Sequence, residues 1–211
     1  MMHIPLDKRV LRLVPLLCLI GLALIFMSGI WILPVGILLS IHCAFFRDPL
    51  RKIPPGNDPV APADGTIVEI LHTHDDVFFQ EEVTKIGIFL SVLNVHVNRS
   101  PMKGRVEMIK YVPGEFVNAL RNSSSQKNES NLILLANESK KILVKQISGA
   151  IARRICCDVS EGQIMERGEK LGIICYGSRT EFWVLRREFK PAVQLGQHVK
   201  AGETILGQWN T

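Results

Sequence analysis

Residues 13–46 run for 34 positions without an Asp, Glu, Lys or Arg. A stretch like this has no polar face to give to water, so it is neither a solvated loop nor the surface helix of a soluble domain. As one straight helix it would extend about 50 Å at ~1.5 Å per residue, against a hydrocarbon core of about 30 Å. Ser28-Gly29 and Pro34-Val35-Gly36 interrupt its middle. These breakers predict two shorter helices, over 13–27 and 30–46, joined by a bend. Lys8, Arg9 and Arg12 precede the run, and Arg47, Arg51 and Lys52 follow it. Positive charge at both mouths keeps both ends on the cytoplasmic side. Residues 1–46 therefore read as a membrane anchor shaped as a shallow helical hairpin, with a single tilted span as the alternative. The stretch is too long for a cleaved signal peptide.

The same charges decide between partners. The chain carries a net charge of +5 with a pI near 9.0. Basic residues clustered at the ends of an apolar segment fit an anionic lipid surface at the cell membrane. No stacking-aromatic pattern or zinc-finger spacing accompanies them, which excludes nucleic acid as a partner. The five cysteines, Cys18, Cys43, Cys156, Cys157 and Cys175, form neither a disulfide framework nor a metal-ligand pattern. Free thiols in a reducing compartment, and no metal, are expected.

Beyond residue 46 the texture changes to that of a globular domain, expected over 47–211. Pro54-Pro55-Gly56 and Asp58-Pro59 make a stiff linker. Short β-like runs follow at 66–71, 85–93, 104–111, 132–136, 142–147, 151–159, 171–175 and 181–185. A short helix is expected over 116–121 and a polar lid over 122–131. The fold class is mainly β, a distorted sandwich or barrel, beside the N-terminal helical hairpin. One internal echo stands out. Gly162-Gln163 is followed by Gly168-Glu169 and Gly172, and Gly196-Gln197 by Gly202-Glu203 and Gly207. The pattern resembles the turns of biotinyl/lipoyl-like β modules, where Gly supplies positive φ. No lysine-bearing hairpin tip appears in either copy, so no carried prosthetic group is inferred from it.

Chemistry concentrates in a series of short blocks. Phe45-Phe46-Arg47-Asp48-Pro49 is followed by Pro62-Ala63-Asp64-Gly65, then by Asn94-Val95-His96-Val97-Asn98-Arg99-Ser100-Pro101. Pro113-Gly114-Glu115-Phe116, Ser148-Gly149-Ala150 with Arg153-Arg154, and Gly168-Glu169-Lys170-Leu171-Gly172 lead to Tyr176-Gly177-Ser178-Arg179. In this order and spacing the chain resembles the short, membrane-associated branch of the phosphatidylserine decarboxylases over nearly its whole length. The resemblance implies a zymogen that cuts itself between Gly177 and Ser178. A β chain of residues 1–177 and an α chain of residues 178–211 would stay associated, and Ser178 would become a covalent pyruvoyl group. It further implies a lyase that holds the serine amine of a phospholipid as a Schiff base on that ketone, releases CO₂, and leaves the ethanolamine lipid.

Roles follow residue by residue. Ser178 is the precursor of the pyruvoyl group. His96 suits proton transfer because its ordinary pKa lies near neutrality. Asp64 is a candidate to orient that imidazole. Arg99, Arg153, Arg154 and Arg179 are the cations available for a substrate phosphate, while Arg47 and Arg51 are expected at the lipid surface. Asn98 and Asn118 are weaker polar candidates. Where the longer branch of the family has a second histidine, this chain has Arg99, which leaves the self-cleavage base open between roles for His96. A homodimer is an expectation of the family alone. Diacyl phosphatidylserine and an ether-linked archaetidylserine share the reacting headgroup, and the former is the preferred substrate. A membrane-anchored β adaptor without catalysis is the reading from another class.

Overall fold

A computed structural model describes residues 10–27, 32–115, 124–149, 154–175 and 178–210. The chain divides into two compact units, residues 1–50 and 51–211.

The first unit holds two helices, α1 (Val10–Met27) and α2 (Ile32–Phe45). They come close where Gly21 meets Val35: a Cβ at Gly21 would lie 3.1 Å from Val35 Cγ1. Pro34 does not break α2, because it is the third helical residue and its missing N–H has no intrahelical acceptor to serve. The two expected helices thus form with shifted ends, while residues 28–31 lie outside the described residues. At ~1.5 Å per residue they are about 27 Å and 21 Å long, each short of a hydrocarbon core of about 30 Å. Among the described residues no helix is long and apolar enough to cross a membrane.

The second unit is mainly β. Its elements are β1 (Gly65–Asp75), β2 (Glu81–Leu90), β3 (Val97–Arg99), β4 (Gly104–Val112), a one-turn α3 (Ser124–Lys127), β5 (Ser130–Ala136) and β6 (Lys141–Ile147). They continue with β7 (Ile155–Cys157), β8 (Ile164–Met165), β9 (Lys170–Ile174), β10 (Ser178–Leu185), β11 (Phe189–Pro191), β12 (His198–Val199) and β13 (Gly207–Trp209). Eight strands make one antiparallel sheet, curled as a half-barrel, in the order β12-β1-β2-β10-β6-β5-β4-β8. β3, β9 and β7 form a second sheet, and β11 pairs with β13.

The order of the large sheet has a pseudo-twofold. Strands β12, β1, β2 and β10 correspond to β8, β4, β5 and β6, with the axis at the Phe182–Val144 pair between β10 and β6. The registers agree: Ile67 pairs with Ile88 as Val106 pairs with Leu135, and a bulge follows in each case, at Val68 and at Glu107. The glycine echo belongs to the same symmetry. Gly196 N–H donates to Ile67 and Gly162 N–H to Val106, both at 2.8 Å, with φ of 81° and 85°. One half, β4 to β8, is contiguous. The other is interrupted after β2 and resumes at β10.

Alternation along the strands sets the core. Ile86, Ile88, Ile133, Leu135, Ile142, Val144, Phe182 and Val184 share one buried face. Each such side chain contributes about 1.5–3 kcal/mol by leaving water. On the other face Leu132, Leu134 and Leu143 pack with Phe78, Phe79 and Trp183. Several expected bounds move. β10 begins at Ser178, not at 181, and β2 stops at Leu90, leaving 91–94 as a turn. Of the run at 151–159, only Ile155–Cys157 is a strand among the described residues. The polar segment expected as a lid contains α3 and the start of β5. The helix expected at 116–121 lies outside the described residues.

Candidate active site

Ser178 opens β10 opposite Leu90 of β2. It is fully buried, and its hydroxyl has no hydrogen-bond partner. A buried hydroxyl without a partner costs free energy, so its retention asks for a chemical reason. Tyr176 and Gly177 lie outside the described residues. Thr180, two residues along and on the same face, donates to Asn98 Oδ1 at 3.2 Å. Gln146, opposite Thr180 on β6, donates to the same oxygen at 3.0 Å and accepts from Asn131 Nδ2 at 3.0 Å. Asn98 Nδ2 and Ser148 Oγ are buried and unpaired, like Ser178 Oγ. A polar pocket thus interrupts the apolar face at the end where β10 begins.

His96 stands directly before β3 and is fully buried. Its backbone carbonyl accepts from Ile174 N–H at 3.3 Å, which ties it to the strand leading toward Ser178. Its Nδ1 lies 2.9 Å from the Asn94 carbonyl. A carbonyl only accepts, so Nδ1 carries the proton, and in the neutral ring the lone pair sits on Nε2. The backbone therefore does the orienting that was expected of Asp64. That carboxylate binds Arg51 at 2.9 Å and accepts from the Ala201 amide at 2.8 Å. Both of its oxygens are used to tie the linker to the β12 end of the sheet. The Arg51 side chain is only 5% exposed, so it serves this pair and is withdrawn from the lipid contact expected of it.

The arginines separate by environment. Arg179 points to the opposite face of β10 and is wholly buried, binding Glu69 at 2.6 Å and Glu181 at 2.9 Å. Lys85 joins Glu69 at 2.8 Å, and Trp183 Nε1 donates to Glu181. Gly87 makes room for this cluster: a Cβ there would lie 2.5 Å from Arg179 Nη2. Arg179 is thus held by two carboxylates on the face of β10 opposite Ser178 and Thr180, with Nη1 buried and unpaired. Arg99 donates to the Gly168 carbonyl at 3.1 Å. Arg154 is exposed, and its carbonyl accepts from Cys175 N–H at 3.1 Å, a few residues before Ser178. Arg153 and Asn118 fall outside the described residues.

A cavity of about 1030 Å³ lies elsewhere, lined by Lys103, Gly104, Asn137, Lys140, Glu166 and Arg167 among others. Several of its charged groups are already engaged: Lys103 pairs with Glu166 at 2.7 Å, and Arg167 donates to the backbone carbonyls of Asp58 and Pro54. It holds none of the residues around Ser178.

The model of the phosphatidylserine decarboxylase family matches residues 38–207. The phosphatidylserine decarboxylase proenzyme of Ehrlichia chaffeensis is 43% identical over 176 residues, 82% of this chain and 77% of that protein. The chain belongs to this family. Proenzymes of the same description from Syntrophus aciditrophicus and Cupriavidus metallidurans are 41% and 39% identical, covering 88% and 85% of this chain and 88% and 83% of their own lengths. Members of the family are decarboxylases made as zymogens. Sequence reasoning gave Asn98 little weight, placed Gln146 and Ser148 in a motif block without assigning them a role, and passed over Thr180. The signal was partial: Gln146 is a polar residue in the largely apolar run 142–147, whereas Thr180 sits among polar neighbours and Ser148 follows β6.

Proposed function

We propose that this chain decarboxylates the serine headgroup of phosphatidylserine, after cutting itself between Gly177 and Ser178. The observation that carries the reading is the buried, partnerless hydroxyl of Ser178 at the first position of a central strand. Desolvation and the lack of a competing hydrogen bond leave Oγ available to attack the carbonyl carbon that precedes it. His96 takes the hydroxyl proton on Nε2, the nitrogen that its Nδ1 contact leaves basic. The acyl group of residue 177 moves from nitrogen to oxygen. Loss of the Ser178 Cα proton then breaks the Cβ–Oγ bond and releases residue 177 as a carboxylate. Water replaces the remaining nitrogen, which departs as ammonia, and a ketone is left at position 178.

The residues present fit a pyruvoyl group made from Ser178, since the site is buried, polar and closed by Asn98, Thr180 and Gln146. When formed, that group supplies the electron sink for loss of CO₂. Asn98 Nδ2, buried and without an acceptor, supplies the donor for developing negative charge in this reading. His96 returns a proton to the carbon that lost CO₂. Arg154, together with Arg153 and Arg99, is the cation set for the headgroup phosphate. The fragments stay together because β10 is hydrogen-bonded between β2 and β6, so a cut before Ser178 leaves both ladders intact. The two short helices hold the enzyme at one membrane leaflet as a hairpin, with the basic flanks on the cytoplasmic side.

The test is Ser178→Ala. The variant stays one band on a denaturing gel, carries no ketone, and forms no ethanolamine lipid from serine lipid. Wild type gives two fragments divided at position 177, the smaller with a blocked N-terminus. Turnover by an uncut Ser178→Ala chain would refute the reading.

A further inference from the structure

The second strand of each pseudo-symmetric half is followed by a short turn, and the two turns differ in where their asparagine sits and in the pair at their centre. After β5 comes Asn137-Glu138-Ser139-Lys140, whose Asn137 Oδ1 accepts from the Ser139 and Lys140 amides. After β2 comes Ser91-Val92-Leu93-Asn94, whose Asn94 Oδ1 accepts from the Ser91 amide at 2.8 Å and the Ser91 hydroxyl at 2.7 Å. Asn94 N–H returns a bond to the Ser91 carbonyl at 2.9 Å. Both turns are clamped by an asparagine. The central pair is Glu-Ser in one and Val-Leu in the other. Central turn positions ordinarily go to Gly, Pro, Asn, Asp or Ser, so a Val-Leu pair is there at a cost to local preference.

Leu93 is 84% exposed, more than any other large apolar side chain among the described residues of 51–211, and Val92 is 43% exposed. One exposed apolar residue means little. Here the pair is held stiffly on a tip, and the tip is joined to the site at both ends. Leu90, the residue before it, pairs with Ser178, and Asn94, the residue closing it, gives its carbonyl to His96 Nδ1. We propose that Val92 and Leu93 insert among the acyl chains of a phospholipid bilayer and seat the mouth of the Ser178 site on it. This inference rests on the proposed lipid substrate. A headgroup reaches a buried serine only if the surrounding protein meets the bilayer at that point, and the tip supplies the apolar contact that burial in lipid favours. The matched polar turn of the other half stays in water. Because Asn94 serves both the tip and the imidazole, seating the tip also fixes the carbonyl that orients His96.

The test uses the full chain. Leu93→Trp, compared with wild type, is quenched by vesicles of phosphatidylglycerol and chain-brominated phosphatidylcholine, whereas Glu138→Trp on the matched turn is not. The double variant Val92→Ser/Leu93→Ser forms ketone at the wild-type yield. Its turnover on phosphatidylserine vesicles, divided by turnover on a short-chain monomeric phosphatidylserine, falls at least about tenfold, as expected when a few CH₂ groups lose their place in lipid. Equal quenching of the two tryptophans, or an unchanged turnover ratio, would overturn the proposal. Quenching is read without catalysis. A tip that inserts in a chain that never decarboxylates serine lipid would therefore sink the substrate reading and leave the membrane contact standing.

Discussion

The two halves of the β unit share strand order, bulges and glycine turns, yet they finish differently. In the contiguous half, the polar turn after β5 leads straight into β6 at Lys141. In the interrupted half, the chain leaves after β2, builds the whole of its counterpart, and returns at Ser178. A hairpin closed in one half is thus open in the other, and the proposed scission point is where the open one resumes. The pairs related by the pseudo-twofold show what this frees. Near the closed end Ile142 faces Val184 in the core; at the open end the corresponding pair is Thr180 and Gln146. A symmetric scaffold supplies rigidity, and a few polar substitutions at one end supply a site.

The largest difference between the halves lies just behind the serine. Arg179 and Lys141 occupy corresponding positions, opposite Phe89 and Ala136. Arg179 is buried between two carboxylates, whereas Lys141, half exposed, meets Glu107 at 3.1 Å. Arg179→Met strands Glu69 and Glu181 with too little positive charge, which costs about 3–5 kcal/mol. Lys141→Met removes a surface pair worth about 1 kcal/mol or less. Urea unfolding of both variants measures the difference. Equal losses would mean that the cluster behind Ser178 is no more than a surface ion pair.

A second difference is the polar pocket itself. Asn98→Leu leaves the Gln146 amide and the Thr180 hydroxyl without their acceptor, a cost of about 1–3 kcal/mol. It also removes the donor proposed to face developing charge, so ketone formation slows by about 10²-fold. Time-resolved gels of newly made chain, with hydrazide labelling of the ketone, give the rate. A variant that loses stability but cuts itself at the wild-type rate would reduce Asn98 to a structural residue.

The limits of sequence reading are visible in the same places. β1, β4, β5 and β6 were legible because apolar residues alternate or run together in them. The start of β10 was not, because Arg179, Thr180 and Glu181 look like solvated turn residues until Glu69 and Asn98, distant in sequence, neutralise or bind them. Val92 and Leu93 read as strand for the opposite reason: their apolarity serves a contact outside the fold. Asn128, Ser130 and Asn131 read as lid, yet they are buried and take part in strand and side-chain hydrogen bonds. Ser178 and His96 were singled out from the ordered blocks around them, and both are fully buried. The partners of Asp64 were not, since nothing local says that Arg51 and Ala201 will meet it.

The smallest effect belongs to Lys145, whose counterpart across the pseudo-twofold is Trp183. Trp183 Nε1 donates to Glu181 at 3.0 Å, while Lys145 Nζ donates to the Ser125 carbonyl at 2.6 Å. Burial holds the Lys145 ammonium below its ordinary pKa; Glu181 opposes the shift, and Lys85 and Arg179 add to it. The folded chain therefore holds this proton less tightly than the unfolded chain does. Below the lowered pKa both states are charged, and the fold bears the full cost of the buried ammonium. As pH rises through that value toward 10.5, the ordinary value, the unfolded state binds more protons and the cost is relieved. Relative to Lys145→Met, wild type gains stability as pH rises across that alkaline window. The gain is smaller than either effect above, because the remaining amine keeps its hydrogen bond to Ser125. Paired unfolding midpoints for the two chains over a pH series measure it. A difference that stays flat, or that moves in favour of Lys145→Met, would mean that Lys145 is as well solvated as a surface lysine, and that the two faces of the pseudo-twofold are less unequal than the buried cluster implies.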